Sequence, residues 1–182
     1  MLFRSIYPNI FLGKQHGFDH GTITAVTLFY NVGAMIGGPI FGALSQHIGR
    51  RRTIILAALL FLPIVPFWAF GDSPYVLAGA AFLLQVCVQG AWGVIPAHLN
   101  ELSPPTIRAT FPGFVYQLGN LFASYNATLQ SQIGDQMGGN YSWALAGVGI
   151  TVAVAIIILI AFGREARDVH MGAPRPAEAS GK

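Results

Sequence analysis

The sequence predicts an all-α membrane protein with about five full transmembrane helices and the outer end of one more. Three observations carry this. Hydrophobic residues make up 53%, charged residues only 9%, and the mean hydropathy is +0.55, a balance foreign to an ordinary soluble domain. Five apolar segments, at about 22–44, 53–70, 74–98, 110–133 and 141–162, approach the roughly 20 residues that one helical crossing requires. The charges fall between these segments and are biased to one side. With the hinge of Arg50, Arg51 and Arg52 inside, Arg108, Arg164, Arg167, Arg175 and Lys182 are inside too, and only Lys14 lies in an outside loop, with Asp19, Asp72 and Asp135 in such loops as well. This positive-inside pattern predicts a multi-pass protein with a cytoplasmic C-terminus. The formal charge of +3 thus reflects topology, and no nucleic-acid surface is expected.

Residues 1–13 are apolar but too few to span, and they read as the outer end of a helix. His16 and His20 flank Asp19 in a stretch with Gly17 and Gly21, which reads as a solvated loop. The first span holds Gly33-x-x-x-Gly37 and Gly38-x-x-x-Gly42, small-residue spacings that let helix backbones approach closely. Thr24, Thr27 and Asn31 fall within roughly 60° of one another on a helical wheel. The hinge follows, with Gly49 permitting the turn. The second span contains Pro63 and Pro66, tolerated where neighbours satisfy the freed carbonyls. Ser73 with Pro74 is a helix start.

The third span carries Gln85, Gln89, Trp92 and Pro96 on one face, with the single cysteine, Cys87, as a packing thiol. The turn after it has two charges, Glu101 and Arg108. In the fourth span Gln117, Asn120, Ser124, Thr128 and Ser131 lie within roughly 80°, a polar stripe that implies a water-filled cavity or a polar neighbour. Asn126 lies opposite it without an evident role. The fifth span has Tyr141 and Trp143 as an interfacial belt. Residues 1–168 therefore form the transmembrane bundle, and 169–182 are expected to be a disordered cytoplasmic tail.

The run Gly42-x-Leu44-Ser45-x-x-x-Gly49-Arg50-Arg51-Arg52 resembles the loop signature of the major facilitator superfamily, G-x-L-[SA]-D-R-x-G-R-[RK], with Gln46 and His47 where that signature has Asp and Arg. Glu101, Pro104 and Arg108 are similarly spaced to its E-x-x-P-x-x-x-R element. The segments 99–113 and 116–121 resemble the sialate/carboxylate:proton symporter branch, which includes the lactate permeases of yeasts. The resemblance implies the C-terminal half of such a helical bundle, joined to an N-terminal half outside this sequence. It implies proton-coupled uptake of a small carboxylate, a monocarboxylate or sialic acid, across the cell inner membrane. Asn31, Gln85, Gln89, Gln117 and Asn120 would bind the substrate, and Gly49, Arg50, Arg51, Glu101 and Arg108 would act as a cytoplasmic gate. A sugar or other metabolite carrier of the same superfamily, or a truncated membrane protein that transports nothing, stays open as an alternative. No mid-span Asp or Glu is present, so the proton-carrying group is expected in the other half. No helix face gathers a nucleophile with a base, paired carboxylates or metal-spaced histidines, so neither enzyme activity nor a cofactor or metal is expected.

Overall fold

The structure is a computed structural model describing residues 6–104 and 106–163. The tail at 169–182, Arg164 and Arg167 lie outside the described residues. The described residues form seven helices in order: α1 (Ile6–Gln15), α2 (His20–Ile48), α3 (Arg50–Phe70), α4 (Pro74–Leu102), α5 (Phe111–Ser124), α6 (Asn126–Gln136) and α7 (Tyr141–Phe162). Of these, α2, α3, α4 and α7 are long and apolar enough to cross a membrane.

The first helix is wound as a π-helix and closes with the His16 amide bonded to the Phe11 carbonyl. Asp19 caps α2: one carboxylate oxygen accepts from the amides of Gly21 and Thr22, the other from the Thr22 hydroxyl at 2.6 Å. These bonds, led by the Thr22 hydroxyl, hold the Asp19 carboxyl below its ordinary range. Ser73 has the extended dihedrals of a cap and Pro74 opens α4, but the Ser73 side chain makes no capping bond.

The apolar wheel of α3 and the glycines of α2 set the packing. α2 and α4 run parallel and form the tightest pair. A Cβ on Gly33 would lie 2.3 Å from the Phe82 carbonyl oxygen, and one on Gly37 2.3 Å from that of Val86. Gly93 approaches Gly38 in the same way, whereas Gly42 faces open space. The first small-residue spacing thus makes a backbone contact, and the second does so only through Gly38. α3 runs back between α4 and α7, burying Phe61, Val65 and Trp68 with Leu77, Leu84 and Leu145. A smaller cluster of Phe41, Ile54, Ala57 and Val94 sits towards the hinge.

The stretch expected as one span over 110–133 is two helices. The Ser124 hydroxyl donates to the Leu121 carbonyl at 2.6 Å. That carbonyl would otherwise take the Tyr125 amide, which bonds Ala123 instead, so the ladder is interrupted at Tyr125. Such side-chain competition is why serine weakens helix interiors. Asn126 then begins α6 and accepts from the buried Gln130 at 3.4 Å.

Candidate functional site

At the hinge end, one residue joins two long helices. Gly49 has φ 98°, a region that side chains other than glycine avoid. Its amide donates to the Ser45 carbonyl at 3.1 Å, ending α2, and its carbonyl accepts the Thr53 amide at 3.2 Å and the Thr53 hydroxyl at 2.8 Å, starting α3. The turn is fully hydrogen-bonded despite having no loop.

Arg50 projects from this turn onto the end of α4. Its Nε donates to both Glu101 oxygens, at 3.1 and 3.4 Å, and Nη2 lies 3.0 Å from Oε1. Nη1 donates to the Ser45 hydroxyl, which in turn donates to the Gly42 carbonyl. The side chains are only 21% and 13% exposed, so this forked pair is screened less than a surface one. Arg51 turns the other way, donating to the carbonyls of Gly163 (3.1 Å) and Ala161 at the end of α7, where a helix presents unpaired acceptors and negative potential. Arg108 bonds the Ser103 carbonyl twice, at 3.3 and 3.1 Å. Among the five residues expected to gate, Gly49, Arg50 and Glu101 come together, Arg51 reaches α7, and Arg108 turns onto its own segment.

The residues expected to bind substrate are spread over three helices. Asn31 is exposed and its amide donates to the Thr27 carbonyl at 2.8 Å; Thr24 and Thr27 bond back in the same fashion. Gln85 is 4% exposed and faces α2, where it engages the Tyr30 hydroxyl, and among the described residues its Oε1 has no hydrogen-bond partner. Gln89 is half-buried, while Gln117 and Asn120 are exposed on α5. Helix α5 buries none of its side chains. It meets α4 through Trp92 and Tyr116, whose rings make an edge-to-face contact at 5.3 Å. Below this pair a cavity of about 220 Å³ opens, lined by Ile95, Pro96, Leu99, Pro112, Gly113 and Tyr116. The lining of this hollow is apolar and includes none of the five amides expected to bind substrate, of which Gln89 flanks Trp92 on α4 and Gln117 flanks Tyr116 on α5 in sequence.

Sequence reasoning did not single out three participants. Ser45 was read only as part of the turn, yet it receives Arg50. Tyr30 lay unremarked beside Asn31. Gln15, the last residue of α1, accepts the Tyr141 amide at 2.8 Å and donates to the Ser142 hydroxyl at 2.9 Å. No local pattern marks a partner 126 residues away.

A family model described as Major Facilitator Superfamily matches residues 1–181. The chain is 36% identical over 126 residues to the carboxylic acid transporter protein homolog of Saccharomyces cerevisiae, covering 69% of this chain and 20% of that protein. To the major myo-inositol transporter IolT of Bacillus subtilis it is 32% identical over 124 residues, with 66% and 26% covered. To the glucose transporter GlcP of Staphylococcus epidermidis it is 24% identical over 166 residues, with 81% and 36% covered. The chain spans between a fifth and about a third of the length of these relatives.

Proposed function

The chain belongs to the major facilitator superfamily, and on that premise we propose that it forms the C-terminal half of a secondary transporter that takes up a small carboxylate together with protons. Membership and the four long apolar helices make it an integral, multi-pass membrane protein. The observation that carries the substrate class is the 36% identity to the yeast carboxylic acid transporter homolog, set against 32% and 24% for the inositol and glucose carriers. Sites in this kind of fold lie near the midplane between two halves that rock about them. In our reading Gln89, Gln117 and Asn120 hydrogen-bond the substrate, with Gln85 and Asn31 behind them. The proton-carrying group and the substrate's counter-cation belong to the N-terminal half. The Arg50–Glu101 pair ties the ends of α2, α3 and α4 when the cytoplasmic side is in one of its two states. The protein sits in the cell inner membrane with its C-terminus in the cytoplasm. The sugar-carrier reading draws support from the same amides, since neutral donors and acceptors also suit a polyol, and from the 32% identity to the inositol carrier.

The test is uptake of labelled lactate, glucose and myo-inositol into vesicles under an imposed pH gradient, with the N-terminal half supplied. Lactate uptake that collapses with a protonophore is the expected result. Gln117→Ala and Asn120→Ala should each raise the apparent KM about two- to tenfold, the worth of one hydrogen bond, at unchanged protein levels. Uptake of glucose or myo-inositol without lactate would move the assignment to the sugar class. An unchanged KM in both variants would remove these two residues from the site.

A further inference from the structure

At the end of the bundle opposite the Arg50–Glu101 pair, the link 16–19 between α1 and α2 is the expected loop, with Gly17 and Asp19 exposed, but His16 and Phe18 in it are half-buried. The His16 ring meets Phe11 edge-on at 4.6 Å and stacks on Phe18 at 5.3 Å with 24° between the planes. Phe11 is fully buried. The His16 amide donates to the Phe11 carbonyl and the Phe18 amide to the Leu12 carbonyl, both at 3.1 Å. Gly17, with φ 65°, makes the bend that brings the two phenylalanines onto one imidazole. The adjacent Gln15 holds the start of α7 by two hydrogen bonds. Residues 15–18 therefore fasten the ends of α1, α2 and α7 together.

The His16 Nε2 is shielded from solvent and has no hydrogen-bond partner among the described residues. A neutral imidazole tolerates this, because its bare nitrogen is a modest acceptor. An imidazolium does not, since it would place a charged N–H donor where nothing accepts it. Among the described residues the surrounding charges are few. Lys14, Asp19 and His20 are exposed on its own segment. The link between α3 and α4 contributes Asp72, and Asp135 at the end of α6 is bonded by the Tyr141 hydroxyl.

We propose that His16 is a pH-operated fastener: its neutral ring seats between Phe11 and Phe18 and keeps the link docked, and protonation releases it. Burial holds the His16 imidazole below its ordinary value of 6.5, and the opposing pull of Asp72 is the smaller effect. The released ring takes up its proton at the ordinary value, so docking is complete above pH 6.5 and weakens as pH falls from there through the lowered value of the docked ring. On the orientation that the charge bias predicts, this end reads the outside compartment. The fastener needs no substrate and stands apart from the transport reading.

Hydrogen exchange on the full chain in lipid nanodiscs tests this, with amide protection at His16 and Phe18 compared at pH 7.5 and 5.0 after correction for intrinsic rates. Protection in the wild type should fall at the lower pH, by at most about thirtyfold, the limit set by the distance of pH 5.0 from the released value of 6.5. His16→Phe should keep its protection at both. Asp72→Asn, which leaves the ring contacts intact, should move the release to lower pH. Protection that ignores pH in the wild type, or that falls equally in His16→Phe, or a release unmoved in Asp72→Asn, would overturn the proposal.

Discussion

Gly33→Ala is the sharpest probe of the fold. The added methyl would sit 2.3 Å from the Phe82 carbonyl oxygen and 3.1 and 3.2 Å from the carbonyl carbon and Cα behind it. These are backbone atoms of a packed helix, so no rotamer change relieves the clash. Restoring an ordinary carbon–oxygen contact needs α2 and α4 to part by about 1 Å, which loosens every contact along the pair. Overpacking of this kind costs about 1–3 kcal/mol, and removing a glycine from a helix returns about 0.5–1. A net loss of about 1–2 kcal/mol is expected. Gly42→Ala is the internal control: it lies on the same helix with nothing within 4 Å, and should be neutral or slightly stabilising. Gly33→Ala/Gly37→Ala should cost less than the sum of its parts, because one separation of the helices relieves both clashes. Thermal unfolding of the purified variants in one detergent, followed by tryptophan fluorescence, reads all four. Equal midpoints for Gly33→Ala and Gly42→Ala would refute the backbone contact.

Two further outcomes follow from the hinge. In a Cys87→Ser background, Gln46→Cys should react with an impermeant thiol reagent only after the cytoplasmic face is opened; labelling of intact cells from outside would reverse the proposed topology. Glu101→Gln removes the charge that Arg50 grips while keeping the side-chain shape, and at this degree of burial should weaken the contact by about 1–2 kcal/mol, a factor of 5–30 in the balance of gate states. Transport by the full protein should change while membrane levels hold, whereas loss of the protein itself would assign the pair to folding.

Much of the helical plan is legible because a bilayer leaves few options. Long apolar runs broken by Gly49 and by Gly71-Asp72-Ser73-Pro74 place α2, α3, α4 and α7 to within a few residues. The interruption at Tyr125 was harder to see. It depends on which carbonyl the Ser124 hydroxyl chooses, and a polar stripe reads the same whether or not the ladder beneath it is continuous. The hinge pairing was legible in part. Opposite charges at the ends of neighbouring spans suggest contact, but it is the packing of α4 against the hinge that gives Glu101 to Arg50 and leaves Arg108 to bond its own turn. Helical-wheel reasoning put Gln85 and Gln89 on one face, yet it cannot tell which neighbour that face meets. Gln85 turns towards Tyr30 because α2 lies so close at Gly33 and Gly37, and that closeness is a tertiary fact. The loop at 16–19 is legible from its two glycines and aspartate, but that pattern says nothing about the phenylalanines that half-bury His16.

The parallel pair α2 and α4 has a mechanical consequence. Each helix has 29 residues, so each is about 43 Å long, against a hydrocarbon core of about 30 Å. Over a dozen ångströms of each must therefore stand clear of the lipid tails or be taken up by tilt. Because carbonyl meets glycine between them, neither rod can slide along the other without lifting out of its notch. They tilt as a single beam, with the Arg50–Glu101 pair near one tip. A small swing at mid-depth grows with distance along that beam, so this ion pair lies where the leverage on it is greatest.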